Sequence, residues 1–251
     1  MTSQMNTILF KIRLKYDDKE TPILPISPAI TMTTISDGDM RDPKNREMVL
    51  SKIGVPAATL VRIGSEHMGN AKLVDQHDMG TVVTADAIFT TNKILHLGLT
   101  TADCIPMPVF DRVTGVFGII HAGWRELSKG VIKNSVELLQ EKFNSKPRDL
   151  RVVMGPAISV RNYEVGEEIA DLFKKPLGAI HKRGLRSYLD LKKVAASHFN
   201  EMGVDGITQG VDKCTYDIQN NLFSHRRDFH NGVEDQGRFM TLVGFLDKKQ
   251  S

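Results

Sequence analysis

One of the chain's two cysteines, a histidine and its only tryptophan fall in one short stretch, Thr101-Ala102-Asp103-Cys104 followed by His121-Ala122-Gly123-Trp124-Arg125. Neutral imidazoles and a thiolate form a borderline-soft donor set that suits zinc, with copper as competitor, and three protein ligands leave a fourth position for water or substrate. A further histidine, His67, follows the apolar run 60–64. His67, Cys104 and His121 match no compact zinc pattern such as Cys-x-x-Cys or His-Glu-x-x-His. Spacing alone therefore leaves two readings open, a metal centre and a buried cysteine that acts as a small hydrophobe.

Each of these residues stands at the end of an apolar run. The run 94–99 predicts a buried strand that delivers Cys104, and 116–120 predicts one that delivers His121. Gly123 then turns the chain into a helix over 126–143, with Ile132, Val136, Leu139 and Phe143 on one face. Strand, polar tip, glycine and helix are the means by which a rigid scaffold presents a reactive side chain. Elsewhere the pattern predicts strands at 8–14, 60–64, 81–83, 86–89, 150–154 and 239–245. Asp42-Pro43 reads as an N-cap with proline at the first helical position, and Asp190 as the cap of a helix that Gly203 stops. Another helix is expected from Tyr163 to Phe173. Strands and helices do not alternate strictly, which predicts an α+β fold, a layered single domain over 1–251 with a mixed sheet rather than a doubly wound parallel one.

Bulk properties narrow the function. With 33 basic and 30 acidic residues among 251, the formal charge of +3 provides no strong attraction to nucleic acid or anionic membrane, so an anion site must be local. Two distant cysteines are too few for a disulfide framework, which points to a reducing compartment. The apolar cluster Ile8-Leu9-Phe10 is too short for a signal-peptide core, and no segment approaches membrane-spanning length. The expectation is a cytoplasmic protein, monomeric or homodimeric, with a small-molecule substrate and neither nucleic-acid nor membrane partners.

The order of motifs adds a resemblance. Thr101-Ala102-Asp103-Cys104 and His121-Ala122-Gly123-Trp124-Arg125, then Gly155-Pro156, Tyr163-Glu164-Val165-Gly166, Asp190-Leu191, Cys214-Thr215 and Ser224-His225-Arg226-Arg227-Asp228, resemble the laccase-domain family over residues 30–243. Members of that family were first called multicopper polyphenol oxidoreductases and later described as zinc-dependent purine nucleoside enzymes. The resemblance implies one layered α/β-type domain, a fold shared with cytotoxic-necrotizing-factor-like cysteine hydrolases. It also implies a metal pocket of two histidines and a cysteine, here His67, Cys104 and His121. The chain departs from the family pattern in having Ser65-Glu66-His67 in place of Gln-Val-His, and Gly155-Pro156-Ala157-Ile158-Ser159 in place of Gly-Pro-Cys-Ile-Gly. Both changes leave the three ligands intact.

The remaining candidates each carry two readings. Asp103 orients a ligand or handles a proton, or else is a turn aspartate bonded to its own backbone. Arg125, in the first turn after His121, holds phosphate or pairs with a carboxylate. Arg226 and Arg227 precede Asp228, so one is expected in an ion pair and the other beside a ligand. Trp124 and Tyr163 are expected to pack, and Cys214 to be buried. His77, His96, His181, His198 and His230 belong to no constellation.

Three functions follow. The leading one is a zinc enzyme that acts on purine nucleosides, by phosphorolysis with phosphate as co-substrate, by deamination of adenosine, or both. The second is a metal-free cysteine hydrolase using Cys104 with His67 or His121 as base, with peptidoglycan-precursor editing, assigned to some bacterial relatives, as an alternative substrate class. The third is a non-catalytic metal-binding or partner-binding protein. True laccase chemistry fits poorly, because a multicopper oxidase clusters histidines in His-x-His pairs and this chain has eight histidines and no such pair.

Overall fold

The computed structural model describes residues 27–175 and 178–246; the strand expected at 8–14 lies outside them. The chain forms β1 (Ala29–Met32), α1 (Pro43–Lys52), β2 (Leu60–Gly64), β3 (Ala71–Leu73), β4 (Val82–Thr84), β5 (Ala87–Thr90), β6 (His96–Thr101), β7 (Ile105–Asp111) and β8 (Phe117–Ala122). It continues through α2 (Trp124–Ser128), α3 (Val131–Phe143), β9 (Leu150–Met154), β10 (Glu164–Val165), α4 (Glu167–Leu172), β11 (Ile180–Arg183) and β12 (Arg186–Leu189). The last elements are α5 (Leu191–Glu201), β13 (Ile207–Gln209), α6 (His225–His230) and β14 (Phe239–Gly244).

The result is a mixed α/β fold, but with three sheets where one mixed sheet was expected. Five strands run in the order β1-β14-β6-β2-β4, six in the order β13-β9-β7-β8-β5-β3, and β10-β12-β11 form a small antiparallel sheet. The two large sheets share a core that includes Leu97, Leu99, Phe117, Ile119 and Phe239. A second core packs Phe89, Met107 and Ile120 with Val136 and Leu139 of α3 and Phe199 of α5. Strand β8 is buried along its whole length because successive side chains feed the two cores in turn.

Caps set the helix ends as expected at α1, where Asp42 accepts from Lys44 N, and at α5, where Asp190 accepts from Lys193 N. The single helix expected over 126–143 is two, because Gly130 adopts a left-handed conformation (φ 78°) between α2 and α3. The helix expected from Tyr163 is a short strand followed by α4. Strand β7 carries Pro106 and Pro108, which mask it in the sequence. Pro106 turns its carbonyl towards Gly155 N, while the ladder with β9 begins only at Val109. The two prolines, alternate residues on one side of the strand, therefore interrupt no bond to β8.

What positions the site is the route between the large sheets. β2, β4 and β6 are parallel neighbours, and each leads from its end directly into a strand of the other sheet, β3, β5 and β7. Three crossings thus lie at one edge, and β8 ends at the same edge. The crossings carry Ser65 and His67, Asp86, and Asp103 and Cys104, and β8 contributes His121.

Candidate metal centre

The loop 65–69 is held by one buried carboxylate. Asp86 accepts from Ser65 Oγ and His67 N (3.0 Å) through Oδ1, and from Met68 N and Gly69 N (2.7 Å each) through Oδ2. Its own carbonyl accepts from His121 N at 2.8 Å. Asp86 is fully buried, so its charge is stabilised entirely by these fixed donors. They hold His67 in a left-handed conformation (φ 58°) that a non-glycine residue adopts only where its surroundings enforce it.

His67 and His121 face each other with ring centroids 5.7 Å apart. Between them lies Glu126, 1% exposed, from the first turn of α2. Its Oε1 contacts His67 Nδ1 and lies 3.2 Å from His121 Nδ1; its Oε2 accepts from Gly123 N at 3.0 Å. The Ser65 hydroxyl reaches His121 Nδ1 (3.0 Å) and Glu126 Oε1 (3.3 Å). One ligand atom each from His67, Asp86, His121 and Glu126 lies within 4.8 Å of the others. Cys104, half-buried and unbridged, adjoins His121. A Cβ on Gly123 would stand 2.6 Å from Cys104 Sγ and 2.7 Å from Glu126 Oε2, so glycine is required there by close approach.

Charge is concentrated accordingly. Burial opposes a proton on His121, but Cys104 and Glu126 outweigh it and raise the imidazole to about 10. Burial likewise opposes charge on Glu126, and the two histidines overcome it and lower the carboxyl to about 2. The converging group offers two imidazoles and two carboxylates, a set that fits a divalent ion such as zinc; Cys104, expected as a ligand, touches His121 but is not a member of that group.

The opposite side of the Cys104 turn is built differently. Asp103 (φ 92°) accepts from Thr215 Oγ1 at 2.6 Å and from Arg226 N at 2.7 Å, so it is bonded across the chain rather than to its own turn. Arg226 donates to Glu164 O (2.6 Å) and lies 5.1 Å above the Tyr163 ring. Tyr163 is 9% exposed, and burial raises its phenol above the ordinary value. Arg227, expected at a ligand or in an ion pair, donates to the carbonyls of Thr215 (2.8 Å), Tyr216 (3.4 Å) and Leu222 (3.0 Å) and forms a long ion pair with Asp228 (4.0 Å). Of the two arginines, Arg226 reaches the Tyr163 side of the site and Arg227 braces its wall. Arg125 is exposed over the Trp124 ring (4.4 Å), with no carboxylate partner among the described residues, and Trp124 packs on the core.

Cys214 is half-buried and free, accepting from Ser159 N (3.2 Å) and Asn162 Nδ2 (3.4 Å). His96 is a satisfied core residue, between Thr59 Oγ1 (2.8 Å) and Phe245 O (3.1 Å). Sequence reasoning missed Asp86 and Glu126. Glu126 had a signal: at the third position of a helix, a glutamate reaches back to the N-cap N–H, here that of Gly123 beside His121. Asp86 had none, since its partners are backbone groups of another loop.

The model of the family described as multi-copper polyphenol oxidoreductase laccase matches residues 32–246, and the chain belongs to that family. A purine nucleoside phosphorylase of Mycobacterium tuberculosis is 32% identical over 202 residues, 79% of this chain and 77% of that protein. Purine nucleoside phosphorylase YlmD of Bacillus subtilis is 27% identical over 237 residues, 89% and 84% of the two chains. The crystal structure of the hypothetical protein YfiH of Bacillus licheniformis superposes with a TM-score of 0.78 at 25% identity, over 87% of this chain and 92% of that one. Among the described residues no helix is long and apolar enough to cross a membrane.

Proposed function

We propose that the chain is a zinc-dependent purine nucleoside enzyme whose reaction is phosphorolysis, with adenosine deamination as a second reaction of the same centre. The observation that carries this reading is the convergence of His67, Asp86, His121 and Glu126 at one crossing point between the sheets, with Cys104 against His121, in a chain whose relatives are named purine nucleoside phosphorylases. His67, Cys104 and His121 would hold the ion, and bound zinc would supply Lewis-acid polarisation or a water of lowered pKa. Arg125, exposed and without a carboxylate partner among the described residues, would bind the phosphate dianion. Arg226 and Tyr163 offer a guanidinium and an apolar ring for the sugar and base. Asp103 positions this side through Arg226 N and Thr215.

A metal-free cysteine hydrolase is favoured by one observation, the contact of Cys104 with an imidazole that is pushed towards its charged form. Nucleoside turnover, with phosphate present and absent, in chelated and zinc-reloaded protein separates the two readings. The zinc reading expects activity lost on chelation and restored by zinc, with ribose 1-phosphate formed only when phosphate is present. Full activity in zinc-free protein, abolished by thiol alkylation, would overturn it in favour of the hydrolase.

A further inference from the structure

We infer that Glu126 is a fourth protein ligand, so that the centre of this chain at rest is closed, His67, Cys104, His121 and Glu126, rather than a three-residue site with an open position. The inference rests on the zinc reading above and concerns what that reading leaves unassigned.

Two carboxylates lie within reach of the histidines, and their bonding separates them. Asp86 has both oxygens occupied, each by two donors of the loop 65–69, and moving either to an ion would release that loop. Glu126 is bound to one main-chain donor, Gly123 N, through Oε2. Its Oε1 faces only side chains that can turn or give up a proton: both imidazoles and the Ser65 hydroxyl. The 3.2 Å between Oε1 and His121 Nδ1 is close to the edge of a tetrahedron of ligands about 2.0–2.2 Å from zinc. His67, whose side chain is 47% exposed, has room to move back as an ion enters.

Charge by itself does not choose between the two carboxylates, since both lie in the same cluster; their bonding does. Glu126 is 1% exposed, and its ionisable contacts among the described residues are the two histidines. Four protein ligands are the mark of a closed site. Substrate or phosphate must then displace Glu126, which is carried on a five-residue helix between Gly123 and Gly130.

The test uses the full chain. Zinc affinity is measured by competition with a chromophoric chelator for wild type and Glu126→Gln, and the visible spectrum of the cobalt(II)-loaded protein is recorded with and without azide. The expected result is a loss of affinity of about 100-fold or more in Glu126→Gln, at or above the upper end of what losing an outer-shell partner costs. Azide should leave the wild-type cobalt spectrum unchanged and shift that of Glu126→Gln. Equal or tighter zinc binding by Glu126→Gln would overturn the inference and leave the zinc reading standing, whereas a wild type that binds neither metal would overturn both. Should Glu126→Gln fail to fold, the wild-type azide titration decides alone, and a spectral shift there shows an open position and overturns the closed centre.

Discussion

The two sides of the Cys104 turn both bury charge, and they do so with different partners. On one side Asp103 and Arg227 are bonded by a hydroxyl, a backbone N–H and carbonyl oxygens whose protonation is fixed. On the other, Glu126 and His121 are bonded chiefly by each other, His67, Ser65 and Cys104. Main-chain partners make a wall whose geometry does not depend on pH or ligand. Ionisable partners make a cluster that can exchange a proton for a metal ion. Asp86 shows that the reactive side needs a wall of its own, since its four bonds fix the backbone of the loop that carries His67.

The largest effect is expected at Asp86. Replacing it with alanine leaves three backbone N–H groups and the Ser65 hydroxyl without their acceptor and should cost about 3 kcal/mol or more in chemical denaturation. A loss under about 1 kcal/mol would show that the loop holds itself and would erase the distinction between Asp86 and Glu126. Next is Arg227→Met, which removes the donors to Thr215, Tyr216 and Leu222. It should lower stability by about 2 kcal/mol with zinc affinity unchanged, because the wall does not touch the ligands. An equal fall in zinc affinity would mean that the two sides act as one unit.

A third prediction concerns pH in the metal-free, chelated protein. His121 at about 10, above its ordinary 6.5, adds stability that is complete below about 6.5 and is lost as pH rises through about 10. Glu126 at about 2, below its ordinary 4.5, adds stability that is complete above about 4.5 and is lost as pH falls through about 2. The pair is therefore fully effective from about 4.5 to 6.5. His121→Gln should flatten the alkaline decline in urea midpoint, and an unchanged decline would place its cause elsewhere.

The smallest effect is at Cys214. Burial works against its thiolate, but hydrogen bonds from Ser159 and Asn162 outweigh burial and lower the thiol below its ordinary value. Asn162→Ala should slow alkylation of Cys214 at neutral pH several-fold, read by mass spectrometry, and leave Cys104 unaffected. Equal slowing at both cysteines would show that the site and the Cys214 bridge to Ala157 are coupled.

Local rules were enough for much of this protein. Continuous apolar runs identified β2, β6, β8, β9 and β14, side-chain caps identified α1 and α5, and the motifs around Cys104 and His121 marked the family. The sequence did not reveal β7, because a strand whose prolines all lie on one side looks broken to any rule that counts proline as a breaker. Nor did it reveal the division at Gly130, since α2 and α3 together read as one amphipathic pattern.

What only the tertiary structure decided is which charged groups meet. The sequence determined that His67, Cys104 and His121 end apolar runs and that Glu126 follows a glycine turn. It could not show that β2, β4 and β6 all cross between sheets at one edge, which brings Asp86 under the His67 loop and sets Glu126 between the two imidazoles. The physical reason is range. Hydrophobic period and caps act over a few residues and are written locally, whereas a buried carboxylate finds its partners only after the sheets have packed, and residues from 65 to 126 then share one desolvated point.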